Sequence, residues 1–299
     1  MKLVYFRDRV PNFGDELNTY VWPALLPAGF LDEDENELFI GIGSILGDHL
    51  PRQAQKFVVG SGHAGYSGIP DMNDGTWQVQ FVRGSRTAEM LSLPAGTAIC
   101  DSAVLLRAME GLPAPADDIG VAFMPHYQSL ERGLWAEACR LAGITLIDPT
   151  GPVETVLARL RGARLLITEA MHGAIVADAL RVPWVAARPL FWGHHRKWLD
   201  WSEAVGVDLR FHALRPSTLV ELYVRATGRG GNEGRALAVS RSPLAALPNR
   251  ALTHLAAGNL ETLARQTPQQ SSDARIAEVT ERAMAALDRL IRRRASAVA

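Results

Sequence analysis

Apolar positions in the first third of the chain fall in short runs separated by loops. Residues 2–6, 38–42, 56–60 and 78–82 read as short strands, and 97–99 as a last one. Residues 15–26 carry apolar side chains at helical spacing, with Leu17, Tyr20, Val21 and Leu25 on one side. Residues 86–91 open a second helix. Residues 110–118 follow, with two prolines and three acids, and have the composition of a linker.

Beyond that linker the pattern becomes regular. Residues 119–124, 144–147, 164–168 and 183–187 read as strands. Residues 130–142, 153–161 and 173–180 alternate with them as helices, the first facing inward through Leu130, Leu134, Ala138 and Leu141. This alternation argues for parallel βαβ units, whose ligands collect at the carboxyl ends of the strands. After residue 215 the signal weakens. The glycine-rich segment 227–235 is expected to be a mobile loop, and 266–273 is polar and linker-like. Ile276, Val279, Ala283, Leu287 and Leu290 then recur at steps of three and four, one face of an amphipathic helix. Its end, Arg292-Arg293-Arg294, complements a helix dipole or touches an acidic surface.

The expected fold is α/β, with two doubly wound, Rossmann-like domains facing a cleft and a C-terminal amphipathic helix. Residues 1–112 form the first domain and 119–225 the second. Residues 226–299 supply linker segments and C-terminal helices. The cleft is the expected site.

Composition narrows the classes. Hydrophobic residues make up 47% and charged residues 21%, which excludes a disordered chain. The net charge of −1 gives no bulk attraction to nucleic acid or membrane. Cys100 and Cys139 stand far apart and read as core thiols, not as a disulfide scaffold or zinc site. His194 and His195 are adjacent and diverge in a helix, so no metal is expected. Charges return directly after the first apolar run, and no stretch approaches the roughly 18 apolar residues of a membrane span. A soluble, cytoplasmic protein is expected.

Four segments can carry chemistry. Asn12-Phe13-Gly14-Asp15-Glu16-Leu17-Asn18 joins the first strand to the first helix. Asn12 can cap that helix, while Asp15, Glu16 and Asn18 crowd the strand's carboxyl end. The same pattern suits a plain capped helix with acids favoured by its dipole. Gly60-Ser61-Gly62-His63-Ala64-Gly65 follows a strand and can form an anion nest, although it is neither a Walker loop nor a full dinucleotide fingerprint. Val82-Arg83-Gly84-Ser85-Arg86 places two arginines where a strand ends and a helix begins. Guanidinium forks suit carboxylate or phosphate there, or pair with neighbouring acids. Thr168-Glu169-Ala170-Met171-His172-Gly173 sets a histidine at a strand-to-helix junction, with Gly173 permitting close approach. Pro125-His126-Tyr127 lies past another strand end. The aromatic and basic stretch 191–198 would hold a glycan or pack as core.

In this order the motifs resemble the polysaccharide pyruvyl transferase family, most of all its bacterial exopolysaccharide members. The resemblance covers roughly residues 1–200. It implies a GT-B-like fold and transfer of pyruvate from phosphoenolpyruvate onto two hydroxyls of one sugar, giving a cyclic ketal. It places Arg83 and His172 at the donor site. Ala170 departs from the pattern, since many members carry arginine there; Arg86 or Arg188 would have to supply that contact.

The residue types suit this donor. Phosphoenolpyruvate brings a carboxylate and a phosphate on three carbons, and Arg83, Arg86, Gly62 and Gly173 are the expected donor-binding residues. His172 is the expected acid or phosphate clamp and Asp15 the base for a sugar hydroxyl. Asn12, Asn18, His126 and Glu169 are expected around the acceptor or behind the first contacts. No cofactor is expected beyond phosphoenolpyruvate as donor substrate. The expected acceptor is a lipid-linked glycan, which would hold the protein peripherally at the inner membrane; no nucleic-acid partner is expected. A nucleotide-sugar glycosyltransferase of the same fold, or a catalytically silent glycan-binding protein, are the competing readings.

Overall fold

The computed structural model describes residues 1–230 and 234–298. The chain divides into two compact units. Unit 1 holds Met1–Gly111, Arg196–Asp208 and the stretch from Ser271; unit 2 holds Leu112–His195 and Leu209–Gln270. The first boundary falls within the proline-bearing stretch 110–118. The two later returns to unit 1 follow from tertiary packing, and no local pattern announces them.

Residues 1–111 build a four-stranded sheet from β1 (Lys2–Val4), β2 (Glu37–Ile40), β3 (Gln55–Val59) and β4 (Trp77–Phe81), in that spatial order and all parallel. Helix α1 (Phe13–Leu25) crosses from β1 to β2, and α2 (Ser85–Met90) follows β4. α1 starts two residues before the expected position. Phe13, Leu17, Val21 and Trp22 take its core face, and Tyr20 and Leu25 are only half-buried. Trp22 meets Phe39 of β2 edge-on at 4.8 Å. Residues 97–99 do not form a strand. Val82 and Ala98 make one isolated parallel bridge beside the 3-10 turn Ala95–Thr97. Pairing stops there because Asp101 caps a 3-10 helix, Ser102–Ala108, accepting from the Ala103 amide at 3.0 Å.

Unit 2 builds a five-stranded parallel sheet from β5 (Gly120–Met124), β6 (Thr145–Leu146), β7 (Ala163–Thr168), β8 (Trp184–Ala187) and β9 (Phe211–His212). Its order is β6-β5-β7-β8-β9. The helices of unit 2 are α3 (Tyr127–Arg132), α4 (Trp135–Ala142), α5 (Val153–Gly162), α6 (Met171–Ala179), α8 (Leu219–Thr227), α9 (Arg235–Ser240) and α10 (Ala246–Leu263), while α7 (His195–Ala204) belongs to unit 1 from Arg196 on. Because β6 and β7 lie on opposite sides of β5, the crossovers diverge between β5 and β7. That switch point is where a doubly wound sheet opens a ligand crevice.

The single helix expected over 130–142 is broken at Gly133–Leu134 into α3 and α4. A Cβ on Gly133 would overlap the Trp135 ring, whose Nε1 donates to Glu221 Oε1 at 2.7 Å. The break shifts the helical phase. Trp135, Ala138 and Cys139 enter the core, and Leu134, expected inside, is exposed. Both cysteines are buried, and burial pushes the Cys139 thiol up to about 12. Residues 231–233 of the glycine-rich segment lie outside the described residues.

The last helix, α11 (Asp273–Val298), buries Ile276, Val279, Ala283, Leu287 and Leu290 within unit 1, against β4 and the 3-10 helix Ser102–Ala108. Of its terminal arginines, Arg294 pairs with Glu37 at 2.5 Å, an acidic surface contact. No helix among the described residues is long and apolar enough to cross a membrane.

Candidate functional site

In unit 1 the chemistry gathers around Arg83, two residues past β4 and wholly buried. Its Nε donates to Asp200 Oδ2 at 3.0 Å and its Nη1 to Ser44 Oγ at 2.6 Å. Nη2 is buried without a hydrogen-bond partner among the described residues. Asp200 also accepts from the Thr87 amide at 3.0 Å and the Thr87 hydroxyl at 2.6 Å. The guanidinium is thus fixed on two nitrogens while the third keeps an unmade charge-assisted bond. A buried donor left open in this way is rare and calls for an explanation.

Gly62 lies directly against this group, and a Cβ there would overlap the guanidinium carbon. Glycine is therefore required for close approach. The expected amide nest takes a different form. The amides of Gly60, Gly62 and His63 donate to Phe81 O (2.9 Å), Gly43 O (2.9 Å) and Thr87 Oγ1 (3.1 Å). These three bonds pin the loop over Arg83 and leave those amides committed.

Lys197 of α7 joins the group. Burial pushes its ammonium down to about 8; Arg83 acts in the same sense, and Asp15 and Asp101 oppose it. Tyr66 is half-exposed, and desolvation pushes its phenol up to about 12, with Arg83 opposing. Asp15 lies in the first turn of α1 and accepts from Asn12 Nδ2 at 2.6 Å. Asn12 stands at the N-cap position, but its side chain serves Asp15 and makes no cap bond. Asn18 is spent on the backbone. Its Oδ1 accepts from Trp22 Nε1 and the Ile42 amide, and its Nδ2 donates to Asp15 O and Ile42 O. It ties α1 to the turn after β2. Arg86 lies on the surface, forked onto Glu203 at 2.5 to 3.1 Å.

In unit 2 the residues gather at the switch point. Glu169 is buried just past β7. Its Oε2 accepts from the His126 amide at 3.0 Å; its Oε1 accepts from Ser129 Oγ at 3.0 Å and the Leu190 amide at 2.8 Å. Burial raises its carboxyl above the usual range, while these bonds and Arg132 act the other way. Glu169 therefore binds together the segments that follow β5, β7 and β8. His126 caps α3 through its Nδ1, and its ring stacks on His194 at 4.2 Å. His195 stacks instead on Phe211 at 5.3 Å, so the two adjacent histidines do diverge. His172 is the second residue of α6 and keeps partial exposure. Gly173 is buried, and a Cβ there would press on Thr168 Oγ1 and Met124 Sδ. Helix-to-strand packing by itself accounts for that glycine.

No family model matches the chain. The succinoglycan biosynthesis protein ExoV of Rhizobium meliloti (strain 1021) is 34% identical over 311 aligned residues, covering 96% of this chain and 98% of that protein. The chain belongs to the polysaccharide pyruvyl transferase family. It is an enzyme, a transferase.

The transferase carries its expected residues in two sets. Asn12, Asp15, Asn18, Gly62, Arg83 and Arg86 fall in unit 1; His126, Glu169, His172 and Gly173 fall in unit 2. Within unit 1, Asp15 and Arg83 share a neighbourhood, and Arg86 is engaged elsewhere. Sequence reasoning missed Asp200; it met Thr87 beside Arg86 and Lys197 within the aromatic and basic stretch 191–198, but assigned neither to the Arg83 group. For Lys197 a signal existed: it is one of three lysines in a chain whose other basic residues are arginine. Asp200 had none, since it sits 117 positions from the arginine it holds. Arg132 and Glu221 were missed as well. Both are buried, and each acts electrostatically on Glu169 or is acted on by it.

Proposed function

We propose that this transferase moves pyruvate from phosphoenolpyruvate onto two hydroxyls of one sugar in an exopolysaccharide repeat unit, forming a cyclic ketal. The observation that carries the reading is the Arg83 guanidinium, buried, anchored by Asp200 and Ser44, and unpaired at Nη2. With Lys197 beside it, unit 1 brings one unpaired guanidinium nitrogen and a point charge together for a small dianion. The succinoglycan role of the relative supports a glycan acceptor, here expected to be lipid-linked.

The reaction balances without a co-reactant. The methylene carbon of phosphoenolpyruvate gains a proton, and the neighbouring carbon takes on oxocarbenium character. Two sugar oxygens bond to that carbon as its bond to the phosphate oxygen breaks. Of the two hydroxyl protons, one replaces the proton given to the methylene and the other leaves with phosphate. His172 is assigned as the acid or phosphate clamp and Asp15 as the base for a sugar hydroxyl, its Oδ2 oriented by Asn12. Glu169 holds the loops around His126 and does not meet substrate.

The test is calorimetric titration of phosphoenolpyruvate, with a uridine diphosphate sugar as control. Arg83→Ala strands the buried Asp200 carboxylate, which costs about 3–5 kcal/mol. Arg83→Lys, with folding checked by circular dichroism, is therefore run beside it. The wild type should bind phosphoenolpyruvate and ignore the nucleotide sugar, and Arg83→Lys should bind about 10- to 100-fold more weakly. His172→Ala should lose turnover, and Asp15→Asn should lose turnover with donor binding retained. Binding of the nucleotide sugar alone would make the protein a glycosyltransferase.

A further inference from the structure

Unit 2 contains a cavity of about 590 Å³ lined by none of the switch-point residues. Arg140, Arg241, Arg250 and His254 line it, and Glu137 is its one acid. Glu137 is already forked onto Arg140 at 2.6 and 2.7 Å. The lining therefore carries an excess of positive charge, although the whole chain is nearly neutral. Next to it stand apolar side chains that the fold leaves in water. Leu244 is 92% exposed, Leu247 79% and Leu255 51%. Leu247, Ala251 and Leu255 recur every fourth residue along α10, so they form one outward stripe. Ala246, Arg250 and His254 form the adjacent row, which faces the cavity.

A protruding leucine stripe alongside a basic row is the pattern of a surface that lies in a membrane interface. We infer that this face of unit 2 docks on an anionic bilayer surface, with Leu244 and Leu247 entering the headgroup boundary and Arg241 and Arg250 meeting lipid phosphates. Charge selects this occupant. A second copy of the chain, meeting the face about a two-fold axis, would set one arginine-lined cavity against another. Anionic headgroups neutralise the same groups and accept the leucines at once. The inference is independent of the donor reading, since vesicle binding and phosphoenolpyruvate binding are read separately.

The experiment is co-sedimentation with phosphatidylcholine vesicles, with and without phosphatidylglycerol, together with light scattering for the oligomeric state. The wild type should sediment with the anionic vesicles, less so as salt rises, and not with phosphatidylcholine alone. Leu244→Asn with Leu247→Asn, both at exposed positions, should reduce that binding more than tenfold with phosphoenolpyruvate binding unchanged. Arg241→Gln with Arg250→Gln should weaken the preference for anionic vesicles by about fivefold per arginine. Wild-type protein that ignores anionic vesicles overturns the proposal, as does leucine-variant binding equal to wild type. A dimer that the leucine changes dissociate, without vesicle binding, assigns the face to a second copy instead.

Discussion

In the proposed donor site, Arg83 and Lys197 would divide one task by chemistry. The guanidinium is always charged and its fork is held by Asp200 and Ser44, so it supplies direction. The ammonium is a point charge whose proton is easier to lose, because burial and Arg83 push it down to about 8. Below that value Lys197 attracts an anion, and above it the attraction fades. Affinity for phosphoenolpyruvate should therefore fall as pH rises through about 8. Lys197→Arg should hold affinity to higher pH, since arginine stays protonated. Calorimetry across that range checks it, and superimposable profiles for the two proteins would remove Lys197 from the donor site. Gly62 shows how a residue's reason can differ from its motif. Its place in a glycine-rich loop suggested an amide for an anion, whereas its missing Cβ makes room for the guanidinium.

At the scale of elements, a buried carboxylate network organises unit 2. Thr218 caps α8 by accepting from the Glu221 amide, and the Glu221 carboxylate reaches back to Ser217 N and Oγ, each at 2.7 Å. Trp135 at the start of α4 donates to the same carboxylate. Burial, with Glu169 adding to it, pushes Glu221 up to about 7. The folded state thus holds this proton more tightly than the unfolded chain does. That contribution to stability is complete below the ordinary glutamate value of about 4.3 and is lost as pH rises through about 7. Wild-type thermal stability should therefore fall from pH 6 to pH 8, a window bracketing the folded value of about 7. Glu221→Gln, which cannot ionise, should show a flatter profile. Equal slopes for the two proteins in scanning calorimetry would show that Glu221 does not titrate there.

At the scale of the molecule, the chain passes between its two units four times, at 111/112, 195/196, 208/209 and 270/271. Neither unit is therefore a contiguous piece of sequence. Residues 196–208 bring Lys197 and Asp200 to the Arg83 group, and α11 covers β4 and the 3-10 helix Ser102–Ala108. Ile276, Val279, Leu287 and Leu290 are buried there, each contributing about 1.5–3 kcal/mol. Their sum is comparable with the roughly 5–15 kcal/mol that stabilises an ordinary domain. A chain ending at Gln270 should therefore lose cooperative unfolding of unit 1 and phosphoenolpyruvate binding together. Retained donor binding by that truncated chain would show that α11 is dispensable to unit 1.

The sequence by itself determined the parallel α/β character, the core face of α11 and the candidate positions at Asp15, Arg83, Glu169 and His172. These depend on local periodicity and on residues placed at strand ends, which neighbouring positions encode. Tertiary structure decided the rest. The helix over 130–142 broke because Trp135 found Glu221, 86 positions away, and Leu134 was turned outward. Strand 97–99 shrank to a single bridge because Asp101 caps the turn that follows. Arg86 went to Glu203 and Arg83 to Asp200, both about 117 positions along the chain. Hydrogen bonds and burial at such separations depend on how the chain closes upon itself, and no window of sequence contains both partners.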